Sequence, residues 1–176
     1  MNIRATTPKD IDAVMAIIEE ARGTIAALGI DQWQNGSPNR AMITEDMARG
    51  QGRVVTDDDG AIIGTFALIY TGEPTYDAIY GGGWGAADKA SDGSVAYIAI
   101  HRVAISVARR GKGVSSAIIS YAEEFARILG KTSLRIDTHE DNHVMQGAVK
   151  KLGFQCRGII YLENGSPRIA YDYIKA

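Results

Sequence analysis

Ile105-Ser106-Val107-Ala108-Arg109-Arg110-Gly111-Lys112-Gly113-Val114-Ser115-Ser116 is the stretch on which the fold turns. It closes a strongly apolar run from Ser94 to Val107, rich in β-branched residues, that reads as a central strand. It opens a second pattern, in which the spacing of Val114, Ile118, Ile119, Ala122, Phe125, Ala126 and Leu129 predicts an amphipathic helix closed by Gly130. Between the two, basic residues alternate with glycines. A helix N-terminus carries unpaired N–H groups and about half a positive charge, and glycines let a ligand approach the backbone. Arg110 and Lys112 add charge at the same place, so the junction reads as a cradle for phosphate or pyrophosphate.

Outward from this junction, the chain alternates strands and helices. Met1 to Thr6 reads as a short strand. Thr7 is placed to cap a helix with Pro8 in its first turn, and the helical spacing of Ile11, Val14, Ile17, Ile18, Ala21, Ile25 and Leu28 carries it to Gly29. A polar loop with Gln32 and Trp33 follows, then a short helix at about Thr44 to Arg49. Arg53 to Thr56, the turn Asp57 to Gly60, and Ala61 to Tyr70 read as a hairpin. The segment from Thr71 to Gly93 is the least regular, with Gly81-Gly82-Gly83-Trp84-Gly85 inside it. Past the central strand and its helix come a strand at Ser133 to Thr138, a helix opened by Asn142 and stopped by Gly153, and a strand pair at Phe154 to Tyr161 and Arg168 to Ile174. The order β-α-(α)-β-β-β-α-β-α-β-β mixes hairpins with crossovers, an α/β sheet with helices on both faces.

The totals narrow the class. A chain of 176 residues suits one domain, here 1–176, and 45% hydrophobic with 23% charged residues is ordinary for a globular protein. A net charge of −2 argues against a nucleic-acid binder that neutralises many phosphates. With one cysteine, no internal disulfide forms, which fits a reducing compartment. No run reaches membrane-spanning length and the N-terminus lacks an apolar leader, so a cytoplasmic protein without a membrane partner is expected.

Three phosphate-binding patterns compete at the junction. A Walker A loop needs Ser or Thr directly after its lysine, but Gly113 follows Lys112. A dinucleotide fingerprint needs three spaced glycines after the first strand of a βαβ unit, and two glycines occur past the middle of the chain. The third pattern fits. Arg110-x-x-Gly113-x-Ser115 resembles the Arg/Gln-x-x-Gly-x-Gly/Ala signature of the GNAT superfamily of N-acetyltransferases, with Ser115 in place of the usual Gly or Ala. Ile100 to Ile105 resembles that family's central strand, and Asn142 followed by Lys151-Leu152-Gly153-Phe154 resembles its next helix and that helix's ending.

The resemblance implies a GNAT-type acyl-CoA N-acyltransferase fold: a single mixed, mostly antiparallel sheet with central splayed parallel strands. It implies acetyl-CoA as cosubstrate, bound through Val103, Ala104, Ile105, Arg110, Gly111, Lys112, Gly113, Val114, Ser115 and Asn142, and no metal. It implies direct transfer of the acetyl group to a primary amine in a ternary complex, with main-chain N–H groups of Val103 to Ile105 as oxyanion donors. The acceptor, a small molecule or a peptide, stays open, and a homodimer is compatible. Gln32 and Trp33 resemble a Gln-Trp segment bordering the acceptor site in some members. Trp33 reads equally as a pocket wall and as a core cap.

Two departures from the family bear on the chemistry. The tyrosine that often protonates the thiolate falls on Val149, and Tyr97 through Ile105 carries no carboxylate base. His101, on the pleat face of Ala99 and Val103 by two-residue alternation, and His139, at the end of the next strand, are the candidates for proton transfer. These departures also keep open a non-catalytic acyl-CoA-binding or sensing module of the same fold. His139 with Asp137 and Asp141 converges poorly for a metal, and a solvated polar corner is expected there. Cys156 reads as a small buried hydrophobe, and Trp84 as a lid or a mobile hairpin tip.

Overall fold

The computed structural model describes residues 1–174. Seven strands form a mixed, mostly antiparallel sheet in the order β1-β2-β3-β4-β5-β7-β6. They are β1 (Asn2–Ala5), β2 (Gly52–Thr56), β3 (Ile62–Ile69), β4 (Tyr97–Ile105), β5 (Ser133–Thr138), β6 (Gln155–Tyr161) and β7 (Pro167–Ile174), and the helices are α1 (Ile11–Ala27), α2 (Arg40–Ala48), α3 (Val114–Ile128) and α4 (His143–Lys151). The expected element order holds throughout. The chain groups into two compact units, Met1–Leu68 with His101–Ile118, and Ile69–Ile100 with the chain from Ile119 onward.

In the first unit, β1 pairs antiparallel with β2 from Asn2↔Thr56 to Ala5↔Arg53, and β2 with β3 from Gly52↔Ala67 to Thr56↔Ile62. The entry to α1 is a 3-10 turn at Pro8–Asp10, so Pro8 starts that turn and not the α-helix. Asp10 explains the arrangement. Its carboxylate accepts from the Thr7 N–H and hydroxyl, both at 2.8 Å, and from both terminal nitrogens of Arg4 at 2.6 and 2.9 Å. The apolar stripe Ile11, Val14, Ile17, Ile18 and Ala21 is buried with Ile43 of α2, Val54 of β2 and Ala104 of β4. α2 begins four residues earlier than its apolar spacing suggests, because the Asn39 side chain accepts the Met42 N–H at 3.0 Å and caps the helix there.

In the second unit, β5 and β6 flank β7 antiparallel, while a parallel ladder joins Tyr97–Ala99 to Ser133–Arg135. Within the irregular segment from Thr71 to Gly93, the stretch from Tyr80 to Gly83 lies along β6, the last strand in the order. Tyr80 and Ile159 exchange N–H···O bonds of 2.8 and 2.9 Å, and the Gly83 N–H donates to the Arg157 carbonyl at 3.1 Å. The backbone of a sheet edge is thereby paired. Glycine is required for this approach: a Cβ on Gly82 would lie 2.0 Å from the Arg157 carbonyl oxygen.

The same segment corrects the reading of Trp84. Its indole N–H donates to the Tyr76 carbonyl at 3.0 Å, and its ring covers the Arg135 guanidinium at 4.1 Å. It is neither lid nor mobile tip. Arg135 has no accessible surface. It lies between the Trp84 and Tyr97 rings, bonded to Asp88 at 2.6 Å and to the Ala86 carbonyl at 3.0 Å, so its buried charge is partnered. Cys156 is exposed rather than buried, since it stands in the exposed opening of edge strand β6.

Candidate active site

β4 is not a regular strand. Arg102 sits at φ +55°, in the left-handed region, which for a residue with a Cβ costs on the order of 1–3 kcal/mol unless its surroundings enforce it. A one-residue kink of this kind interrupts the pleat. The alternation that would set His101 and Val103 on one face therefore does not carry past Arg102.

The Arg102 side chain is held by a contact from α2. The Arg102 guanidinium meets the Asp46 carboxylate as a fork, Nε to Oδ2 and Nη2 to Oδ1, both 2.6 Å, with the two side chains 17% and 10% exposed. Desolvation pushes the Asp46 carboxyl above its ordinary range, while Arg102 and then His101 pull it back toward the ionised form. His101 thus lies in the field of a buried carboxylate that sequence reasoning passed over. A signal for it existed. With Asn39 taken as the cap, Ile43, Asp46 and Met47 fall at i, i+3 and i+4 on the inward face of α2.

Beyond β4, the Ser106 N–H donates to the Ile63 carbonyl at 3.0 Å and Val107–Arg109 makes one 3-10 turn. Three contacts hold this turn. The Val107 N–H donates to Glu20 at 3.0 Å, Arg109 pairs with Asp57 at 2.6 Å, and Arg110 donates to the Thr24 hydroxyl at 3.2 Å. Gly111 and Gly113 adopt φ +72° and +81°, and a Cβ built on either would meet no atom within 4 Å. α3 starts at once with Val114, which is buried, and Ser115 is half-buried in its first turn. Arg110 and Lys112 are exposed beside the open glycines, whereas Arg109 is committed to Asp57. The cradle keeps two cations out of the three in its sequence.

Gln32 and Trp33 are half-buried in the loop after α1. Trp33 is itself at φ +68°, an outlier for an aromatic residue. Arg22 of α1 holds the loop by donating to the Trp33 carbonyl at 2.9 Å and to the Pro38 carbonyl at 2.7 Å. The indole packs against the cluster of α1, α2, β2 and β4, which makes it a cap of that core.

In the second unit, Asn142 is the N-cap of α4, its side-chain oxygen accepting the Met145 N–H at 3.1 Å. His139 Nδ1 accepts the Asp141 N–H at 3.1 Å, which in the neutral imidazole leaves the proton on Nε2. Gln146 donates to the His139 and Glu140 carbonyls and accepts from the Tyr171 hydroxyl at 3.2 Å, fixing the turn from the other side. Asp137 accepts the phenolic proton of fully buried Tyr76 at 2.7 Å. Burial and then that carboxylate push the phenol far up, so Tyr76 stays a donor. Val149, at the position of the family's tyrosine, is buried.

A mixed seven-stranded sheet with helices, a distorted central strand and a basic glycine turn opening a helix make up the fold of a GNAT-type acetyltransferase. The sequence model of the Acetyltransferase (GNAT) family matches residues 24–154, and the chain belongs to that family. It is similar to the GNAT-family acetyltransferase from Streptococcus agalactiae at 38% identity, over 99% of this chain and 95% of that one, with a TM-score of 0.81. It shares its fold with a GNAT-family acetyltransferase from Listeria monocytogenes at 19% identity, over 99% and 94% of the two chains, TM-score 0.73. A GCN5-related N-acetyltransferase from Kribbella flavida shares it as well, at 16% identity over 99% and 97%, TM-score 0.66. Comparison with curated proteins gives no match. No helix among the described residues is long and apolar enough to cross a membrane.

Proposed function

We propose that residues 1–176 act as one acetyl-CoA-dependent N-acetyltransferase domain that acetylates a primary amine by direct transfer in a ternary complex. The observation that carries this reading is the open turn at Gly111 and Gly113, both at positive φ and both without a neighbour where a Cβ would stand. Such a surface accepts a bulky anion against main-chain N–H groups at the start of a fifteen-residue helix. Arg110 and Lys112 neutralise the pyrophosphate, and Val114 and Ser115 present the first turn of α3. Arg110 gives up only a 3.2 Å bond to a neutral hydroxyl when it swings to the ligand.

The thioester supplies an activated acyl group. The chain must orient it, bind its carbonyl oxygen, and take a proton from the amine, whose conjugate acid has a pKa of about 10.4 in a lysine-like acceptor. Main-chain N–H groups in Val103 to Ile105, directly after the kink, serve the oxygen. His101 takes the amine proton. His139, whose neutral ring carries its proton on Nε2, is the other candidate for proton transfer.

Incubation with acetyl-CoA and a panel of polyamines, amino-acid esters and lysine peptides, read by release of free thiol, tests the activity. Acetyl-CoA at many times its dissociation constant should raise the melting temperature. No rise at any accessible concentration would overturn the binding claim. A second reading, an acyl-CoA-sensing module, draws on buried Val149 in place of the family's acid. It predicts the melting shift without thiol release from any amine.

A further inference from the structure

We propose that Asp46 and Arg102 are a positioning pair for acyl transfer: the fork between them holds residue 102 in its left-handed conformation and so aims the main chain of Val103 to Ile105. The proposal rests on the N-acetyltransferase reading above for what that main chain does. The pair itself follows from geometry.

Arg102 is one of two described non-glycine residues at positive φ, the other being Trp33. Side chains with a Cβ occupy that region only where their surroundings over-determine it. For Arg102 the determinant is a bidentate contact with two 2.6 Å bonds, made to a carboxylate on a different element. A guanidinium presents its donors in one plane and cannot satisfy Nε and Nη2 on both oxygens of a fixed carboxylate from arbitrary backbone angles. Asp46 is fixed in turn. It lies on a helix capped by Asn39 and packed through Ile43, and its own carbonyl accepts the Gln51 N–H at 2.8 Å.

Stability alone gives such a pair little reason to exist. Two well-packed apolar side chains commonly do as well as a buried ion pair, which leaves conformational specificity as its role. That role has an address here. The residue held out of the regular pleat stands between His101 and Val103, at the start of the segment that presents oxyanion donors. Rotation of a peptide plane there re-aims an N–H, and an oxyanion donor works only when preorganised toward the developing charge. Neither Asp46 nor Arg102 touches substrate in this scheme. Both act through the backbone.

Glycine separates a backbone role from a merely structural one, since it adopts positive φ without a side chain to enforce it. Two double variants remove the ion pair together, so no charge is stranded: Asp46→Asn with Arg102→Met, and Asp46→Asn with Arg102→Gly. In the first, residue 102 should relax to negative φ in a crystal structure. Its kcat should fall about tenfold or more, with acetyl-CoA affinity changed by less than about threefold, the signature of a lost transition-state contact. In the second, φ should stay positive and kcat should recover to within about threefold of the parent. If the methionine variant melts below the assay temperature, Arg102→Lys, which keeps the charge and loses the fork, takes its place.

Equal kcat in the methionine and glycine variants, or a positive φ retained with methionine, would overturn the proposal. Where the parent protein acetylates no amine, the N-acetyltransferase reading fails by itself. The backbone angles in the two crystal structures then still decide whether the pair positions β4.

Discussion

Two glycine-containing turns in this chain look alike in sequence and do opposite things. In Gly81-Gly82-Gly83-Trp84-Gly85 the missing side chains let the backbone lie flush on β6. A Cβ would fall 2.0 Å from the Arg157 carbonyl oxygen at Gly82, and 2.2 Å from an Arg157 guanidinium nitrogen at Gly85. In Arg110-Gly111-Lys112-Gly113 a Cβ would meet nothing, and the vacated space faces solvent. At Gly82 and Gly85 the first turn uses the missing side chain to close the protein against itself, while Gly81 and Gly83 beside them stand open. The second leaves both of its glycines open, the space that the proposed ligand would take. A glycine cluster therefore announces a close approach to the backbone, and only tertiary structure says what approaches.

That contrast can be broken most directly at Gly82. Gly82→Ala forces apart a backbone contact that no rotamer can relieve, so it should cost about 2–3 kcal/mol, as overpacking typically does. The melting temperature should then fall by roughly 4–12 °C in a chain of this length. Acetyl-CoA binding per folded molecule should stay unchanged, and calorimetric melting with and without acetyl-CoA separates the two effects. Gly113→Ala should show the reverse pattern. Its φ of +81° makes an alanine there strained by about 1–2 kcal/mol, a smaller loss of stability. Its methyl group projects into the open cradle, so acetyl-CoA affinity should drop about tenfold to a hundredfold, or about 1.4–2.7 kcal/mol by titration calorimetry. A Gly113→Ala protein that binds acetyl-CoA as well as its parent would show that the cradle is not the ligand's seat.

The contrast also explains what could and could not be read from the chain alone. The helices and strands around the core were legible because Ile11, Val14, Ile17, Ile18 and Ala21 repeat at helical spacing and Ile98 to Ile105 does not. The cradle was legible because charge, glycine and the strand-to-helix change coincide within a few residues. The kink in β4 was not. Arg102 has no local preference for positive φ, and what forces it there, Asp46, is fifty-six residues away. Trp84 was misread for a similar reason. Its partners Arg135 and Tyr76 come from other elements, and a lone tryptophan among glycines carries no mark of them. Cys156 was assigned by residue type, whereas its exposure follows from β6 being an edge. Local secondary structure is legible in the chain, and long-range pairing is not.

Charge divides the cradle as sharply as glycine divides the two turns, and at finer scale. Arg110→Ala removes a cation whose only described bond is to the Thr24 hydroxyl. Acetyl-CoA affinity should fall about tenfold, because charge-assisted bonds to phosphate oxygens are about twice as strong as neutral ones. The loss should shrink at high salt as screening removes the exposed charge's contribution. Arg109→Ala removes the neighbour, whose guanidinium already belongs to Asp57 at 2.6 Å. Its effect on affinity should stay below about threefold, since the loss of this part-buried pair reaches the cradle only through the turn it helps to hold. The salt dependence should match the parent's, because no ligand-facing cation has gone. An Arg109→Ala loss as large and as salt-sensitive as that of Arg110→Ala would mean that Arg109 leaves Asp57 when the ligand arrives. The cradle would then close on its ligand rather than wait for it.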